Sequence, residues 1–457
     1  VRLTRRELIA GAAAGSALGQ KRRQAPRPNI LLIIADDLAA WMLGCYGNKE
    51  IRTPNIDLLA RTGMRFATNQ VCTPICSASR ATLFTGRVPR QHGIHDFLTA
   101  KPIENPPQGQ AAPPASFQNE VMLSDILSGL GYQCGYIGKW HMGEDAKPQH
   151  NFKFWYTLAG RGYQDPRMSR NGELRDEKGY LPELLTNEAV EFLDGQKAGQ
   201  PFFLVVSYLN PHVPYTGHPQ KYYDLYADAR FETLGRDRPA PNALREKEYL
   251  NDIIGSLRGC AAATTALDDQ IPPLLSKLDQ VGLRDDTLIV FTGDNGFLLG
   301  RHGLWSKGHA SDPINMYEEV MTTPMIWNWR GKTAPEAARP ELVSFYDFVP
   351  TVCDLLDAPL PDRNLCGRSY LPAVLNRFFP KQQPWRNLVF GHFRNTEMAR
   401  DARYKLVLRN GGQGPNELYD VRDDPRERVN QFDNAEFVTV RERLAGELEG
   451  WRKRYSA

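Results

Sequence analysis

The sequence predicts an α/β fold: a large, mostly parallel sheet sandwiched by helices, with a small C-terminal α+β subdomain. Three observations predict it. Apolar runs rich in branched residues recur as far as residue 293, helix-like patterns separate them, and after about residue 375 the runs become short and alternating. At 457 residues the chain is long enough for one large core with a smaller unit beside it.

The elements follow in chain order. "NILLIIA" (29–35), "GYQCGYIG" (131–138), "PFFLVVSYL" (201–209) and "TLIVFTG" (287–293) read as strands buried on both faces. Between them "NIDLLARTG", "EVMLSDILSGLG" and "CAAATTALDDQIPPLLSKLDQVG" have helical spacing. The Pro/Gln/Ala-rich "ENPPQGQAAPPAS" is expected to be an exposed loop. Towards the end, "NLVFGHF", "ARYKLVL" and "NELYDV" read as short alternating strands, and "FVTVRERLAGELEGWRKRY" as a charged helix. The expected division is therefore 1–28, a signal and linker; 29–375, the main α/β domain; and 376–457, an antiparallel sheet plus helix.

Charge and composition narrow the function classes. The net charge is +3, of which Arg2, Arg5 and Arg6 against Glu7 account for +2. What remains is no basic footprint for nucleic acid. "TRRELIAGAAAGSALGQ" reads as a twin-arginine export signal, with Arg5-Arg6 before a short Ala/Gly-rich apolar run. That run is too short and too weakly apolar for a good transmembrane helix, and no later run is long enough to span a bilayer. The expectation is a bacterial enzyme delivered folded to the periplasm or exterior by the twin-arginine export machinery. Seven cysteines, Cys45, Cys72, Cys76, Cys134, Cys260, Cys353 and Cys366, match no zinc spacing. In an oxidising compartment an odd count leaves at least one thiol unpaired or altered, and Cys76 is the candidate.

Each predicted strand empties into a polar loop. The loops carry Asp36 and Asp37, then Lys139 and His141, then His212, then Asp294 and Asn295, with Lys307 further on. In open α/β sheets the site lies beyond the carboxyl ends of the strands. Three carboxylates and an amide oxygen suit a hard cation, calcium or, less well, magnesium. The lysines and histidines, joined by Arg80, suit a tetrahedral oxyanion ester. "CSASRATLFTG" predicts a helix starting near Cys76 and stopping at Gly86, with Arg80 one turn on. The helix N-terminus is expected to favour an anion and to lower the thiol's pKa. On the residues alone, a buried structural cysteine at a tightly packed helix start stays equally open.

These stretches resemble the sulfatase family of the alkaline-phosphatase superfamily. "CSASRATLFTGR" is similar to the signature Cys-x-Pro/Ala-x-Arg followed by Thr-Gly-Arg, and "GKWHMG", "PFFLVVSYLNPHVPY", "FTGDNG", "GLWSKG" and "ELYDVRDDPRERVN" follow in the family's order. The resemblance runs from Asn29 to about Asn430. It implies that Cys76 is oxidised to formylglycine by a maturation enzyme, and that the hydrated aldehyde is the nucleophile and a metal ligand. It further implies Asp36, Asp37, Asp294 and Asn295 as the remaining ligands of calcium. Arg80 would hold the diol, and Lys139 and Lys307 would bind sulfate oxygens. His212 would protonate the leaving alcohol, assisted by Lys307, and His141 would act as base when sulfate is released. Ala78 departs from the more widespread proline form. Such signatures are accepted by radical-type maturation enzymes, whereas an oxygen-dependent one need not accept this chain.

Three further expectations attach to the same region. His92 is read as a structural support, and His302 as a substrate contact or a residue behind the ligands, with a packing role equally open. The aromatic stretch "FKFWYTLAGRGYQDP" is read as core packing ahead of a pocket wall, and its likeness to the family points to N-acetylglucosamine 6-sulfate as substrate. Two alternatives stand beside a carbohydrate sulfatase. One is a phosphonate monoester or phosphodiester hydrolase on the same fold; the other is an inactive homologue that captures sulfated glycans with Cys76 unmodified.

Overall fold

The structure is a computed structural model that describes residues 27–99, 113–235, 237–244 and 247–456. The expected export signal and most of the Pro/Gln/Ala-rich loop fall outside the described residues. A ten-stranded sheet organises the chain. From one edge it runs Ala337–Arg339, Met64–Phe66, Met325–Asn328, Thr287–Gly293, Asn29–Asp36, Phe202–Pro211, Gln133–Gly138, Phe154–Leu158, Arg167–Arg170 and Glu173–Asp176. The five strands from Thr287–Gly293 to Phe154–Leu158 are mutually parallel. The four predicted strands lie together at its centre, and the aromatic stretch supplies the strand beside them.

The apolar runs are continuous because both faces of the sheet are covered. Along the central strand, Ile30, Leu32 and Ile34 enter one core with Ala78, Ala81, Leu83 and Phe84 of the Cys76–Thr85 helix. Leu31, Ile33 and Ala35 enter the opposite core with Leu257, Ala261 and Leu185 from helices on the other face. Each fully buried Leu or Ile contributes about 1.5–3 kcal/mol relative to an exposed one. The "CAAATTALDDQIPPLLSKLDQVG" stretch is divided between two helices, Ile253–Asp268 and Ile271–Gln280. Pro272 and Pro273 lack an N–H, so a helix begins there rather than passing through.

The C-terminal unit is a four-stranded antiparallel sheet of Leu388–Phe393, Thr396–Asp401, Tyr404–Arg409 and Glu417–Asp420. The helix Val438–Arg454 covers it with Leu444, Leu448 and Trp451, spaced to share one face. Cys72, Val88 and Tyr346 of the main body join the same apolar cluster, so the unit is packed on the larger domain. His392 ties its first strand to the segment preceding the Cys76 helix: its N–H donates to the Cys72 carbonyl at 2.8 Å, and its carbonyl accepts from Thr73 Oγ1 at 2.7 Å. Among the described residues no helix is long and apolar enough to cross a membrane, and none of the seven cysteines is in a disulfide.

Candidate active site

The strands deliver their polar ends to one place. Asp36 is the last residue of the central strand, and a register shift there sets it opposite Pro211. Asp37 turns into the left-handed region at φ 61°, and its N–H donates to Asp294 Oδ1 at 3.1 Å. The Asp294 N–H in turn donates to the Ala35 carbonyl, which couples the two strand ends. Lys139 follows Gly138, whose φ is 103° and whose missing Cβ would collide with the Ser207 carbonyl. Only glycine lets the chain pass there without strain.

The predicted helix spans Cys76–Thr85 and stops at Gly86 in the left-handed conformation, with the Gly86 N–H on the Thr82 carbonyl. All ten of its residues are buried. Cys76 Sγ lies 3.4 Å from Asp36 Oδ1 and 2.7 Å from Lys307 Nζ. Ligand atoms of Asp36, Asp37, Cys76 and Asp294 all fall within 4.8 Å of one another. Lys139 pairs with Asp36, and Lys307 with Asp37. Arg80, wholly buried, donates from Nε to Asp294 Oδ2 at 2.8 Å and from Nη1 to the Lys139 carbonyl and Ser207 Oγ at 2.8 and 2.7 Å.

Asn295 distinguishes a cation site from a plain ion-pair network. Its Nδ2 donates to Asp37 Oδ1 at 2.8 Å, while its Oδ1 is buried with no hydrogen-bond partner. An orphaned acceptor beside three carboxylates is what an oxygen-coordinated divalent cation satisfies. The residues present therefore fit calcium or magnesium.

Electrostatics follow from this packing. Burial acts to raise the Asp36 carboxyl, but Lys139, His212, Arg80 and Lys307 together hold it well below the ordinary carboxylate range. Burial and then Asp36 push the Asp294 carboxyl up. Burial works against the charge on Lys307, yet Asp37 and its neighbours keep it well above an ordinary lysine. The expectation of an acidified thiol at Cys76 is overturned. Burial, then Asp36, push the thiol up, against the opposing pull of Lys139 and Lys307.

Both expected histidines reach the cluster. His212 donates from Nδ1 to the Val213 carbonyl at 2.6 Å, since a carbonyl can only accept, and its Nε2 stands 3.7 Å from Asp37 Oδ2. Tyr163 Oη braces it by donating to the His212 carbonyl. His141 donates from Nε2 to the Leu98 carbonyl at 3.0 Å, which leaves its buried Nδ1 without a partner. Burial, reinforced by Lys139, keeps the ring neutral.

His302 has a setting different from the expected substrate contact. Its Nε2 meets Glu319 Oε2 at 3.1 Å and its ring stacks on Tyr317 at 3.8 Å, so both are occupied within the fold. His92 is buried between Thr82 Oγ1 and the Ile94 N–H, a bracing position. Phe152, Trp155 and Tyr156 are buried in the two cores. Sequence reasoning missed Ser207, Tyr136 and Asp145. The first two converge on the Lys139 carbonyl, and Asp145 accepts the His141 N–H at 3.0 Å. A lone serine inside "FFLVVSYL" was the available signal for Ser207.

The chain as a whole is similar to known proteins in sequence and in fold. A family model described as Sulfatase matches residues 28–358, and one described as N-sulphoglucosamine sulphohydrolase, C-terminal, matches residues 300–454. An Escherichia coli protein named uncharacterized sulfatase YidJ is 30% identical, over 92% of this chain and 86% of its own. The N-acetylglucosamine-6-O-sulfatase of Bacteroides thetaiotaomicron is 26% identical, over 98% of this chain and 90% of its own. A structure solved with its substrate D-glucosamine-2-N,6-O-disulfate shares the fold, with a TM-score of 0.78 at 24% identity, covering 94% of this chain and 98% of that one.

Proposed function

The chain belongs to the sulfatase family and is a sulfuric ester hydrolase, and we propose that it removes sulfate from a carbohydrate, using formylglycine made from Cys76 and one calcium ion. The observation that carries the proposal is the setting of Cys76. Its Sγ stands among three carboxylates and a buried lysine, and Asn295, whose amide donates to one of those carboxylates, has a buried oxygen that lacks a partner.

When present, formylglycine supplies a hydrated aldehyde as nucleophile with a second geminal hydroxyl, and calcium beside it offsets negative charge on sulfate oxygens. Asp36, Asp37, Asp294 and Asn295 would hold the ion. Lys139 and Lys307 bring two ammonium groups to the sulfate oxygens, where charge builds as the ester bond breaks. Arg80 fixes the first turn of the helix against Asp294, and so fixes residue 76. With Nδ1–H committed to the Val213 carbonyl and burial lowering its pKa, the resting His212 ring keeps a lone pair at Nε2, beside Asp37. Its imidazolium form, which Asp36 and Asp37 favour, would deliver the proton to the departing alcohol. His141 has its lone pair at Nδ1, because Nε2–H is committed to Leu98, and takes a proton as sulfate is released.

The proposed substrate is a sulfated sugar, with N-acetylglucosamine 6-sulfate the first to try. The relative named for that activity aligns with 98% of this chain. Conversion of Cys76 by a maturation enzyme, then twin-arginine export to the periplasm or exterior, completes the proposal. The test is matured enzyme assayed on sulfated monosaccharides, an aryl sulfate, an aryl phosphonate and a phosphodiester. Sulfate esters should be turned over far faster. A large preference for either phosphorus ester would overturn the substrate claim, and binding without turnover would favour a glycan-capturing protein.

A further inference from the structure

A cavity of about 260 Å³ lies where the C-terminal unit meets the main body, and the proposed chemistry does not use it. Arg90, Arg394 and Arg452 line it against one carboxylate, Glu397, with Asn395 and Asn410 beside them. The guanidiniums come from three separate elements. Arg90 is in the short helix Pro89–His92, Arg394 in the turn after Leu388–Phe393, and Arg452 in the C-terminal helix.

The charges are pre-set rather than loose. Glu397 is nearly buried and takes Arg90 Nη2 at 2.7 Å and Arg452 Nε at 3.2 Å, with a second contact from Arg452 Nη2. Asp96, also nearly buried, takes Arg394 Nε at 2.6 Å. These carboxylates hold the inner edges of guanidiniums whose side chains stay 30%, 31% and 17% exposed for Arg90, Arg452 and Arg394. The fork geometry leaves other N–H groups of each arginine for a planar or tetrahedral oxyanion. Three guanidiniums against two carboxylates, Glu397 and Asp96, leave one positive charge in excess for such a ligand.

The cavity is also coupled to the catalytic cluster by a short path. Asp96, which holds Arg394, begins a segment whose Leu98 accepts from His141 and donates its N–H to Ser77 Oγ. Phe393, next to Arg394, packs against Gly308, which follows Lys307. The turn bearing Arg394 therefore borders both places.

We propose that this cavity is a second anion subsite: Arg90, Arg394 and Arg452 bind a sulfate or carboxylate on a sugar unit next to the one being desulfated. The proposal rests on the carbohydrate-sulfatase reading and adds to it that the preferred substrate is an oligosaccharide with more than one anionic group. Asn395 Nδ2 donates to Asn410 Oδ1 at 2.7 Å, which fixes the Asn410 amide so that its Nδ2 can meet a hydroxyl of the same unit.

The test uses full-length matured enzyme with an aryl sulfate as reporter and oligosaccharides as competitors: a disulfated disaccharide, a disaccharide with one sulfate and one uronic carboxylate, and a monosulfated disaccharide. Arg452→Gln should weaken inhibition by the doubly anionic competitors about tenfold, the loss expected for one charge-assisted contact. It should leave the monosulfated competitor and the aryl sulfate kcat and KM unchanged. Equal weakening for both doubly anionic sugars assigns the subsite to either group, and weakening for one alone assigns it to that group. Arg394→Gln, which releases only Asp96, repeats the test should the first variant unfold. Unchanged inhibition by both doubly anionic sugars, or an equal loss for all three competitors, would overturn the subsite. Absence of turnover of the aryl sulfate and of every sulfated sugar by the matured wild type would instead overturn the proposed carbohydrate-sulfatase activity, and calorimetric titration of the same sugars would still test the cavity.

Discussion

Replacing Arg80 by methionine keeps the volume of the side chain and removes its charge. The magnitude can be worked from its partners. The Lys139 carbonyl still receives Tyr136 Oη at 2.6 Å and Ser207 Oγ at 2.9 Å, so losing Arg80 Nη1 leaves no orphan there. Asp294 is different, because Arg80 Nε is its 2.8 Å ion-pair partner and both side chains are fully buried. Breaking a buried pair by removing one member costs about 3–5 kcal/mol, mainly as the uncompensated charge. Burial and Asp36 already push the Asp294 carboxyl up, so protonation relieves part of that cost in acid. Equilibrium urea unfolding with a chelator present should show a loss of about 3–5 kcal/mol near pH 8, and a smaller loss near pH 5. Added calcium should narrow the gap at pH 8, because the ion takes over compensation of the carboxylates. A loss under about 1 kcal/mol with chelator at pH 8 would refute the claim that Arg80 is the counter-charge holding this corner.

Three other outcomes are expected. Gly138→Ala places a Cβ against the Ser207 carbonyl in a left-handed position, so it should cost about 1–3 kcal/mol of stability and cut activity by displacing Lys139; a wild-type unfolding midpoint and kcat would contradict this. His218 is kept neutral by burial, its pKa lowered to about 4, and burial then Arg90 lower His392 to about 3. The unfolded chain binds protons at these residues from about pH 6.5 downward, so the folded state should lose about 2 kcal/mol per histidine between pH 6.5 and pH 5. His218→Phe should remove its share of that slope in urea titrations, and an unaltered slope would count against the assignment. Asp294→Ala should lose bound calcium in elemental analysis of dialysed protein, and retained metal would remove it from the ligand set.

The central fold was legible because burial on both faces leaves continuous apolar runs, and "TLIVFTG" marks its strand to the residue. The site was legible for a related reason: polar groups placed at strand ends converge in any sheet of this topology. What stayed hidden depends on pairing across the chain. The strand Thr396–Asp401 reads "TEMARD", with no apolar alternation, since Glu397 and Arg400 are buried in ion pairs with distant residues. The sequence motif placed His302 between ligand-bearing loops, but only the fold shows Glu319 and Tyr317 claiming it. The direction of the Cys76 shift was missed because helix position suggests acidification, while carboxylates from remote strands and complete burial act the other way.

The account turns on residue 76 acting as an aldehyde rather than as a thiol. The most direct test is to prepare the protein with and without co-expressed maturation enzyme, then measure the mass of the Cys76 peptide and sulfate-ester turnover on each preparation. Turnover should rise in proportion to the fraction of peptide carrying the aldehyde and vanish where Cys76 can be fully alkylated. Full turnover from protein whose Cys76 is entirely an alkylatable thiol would contradict it.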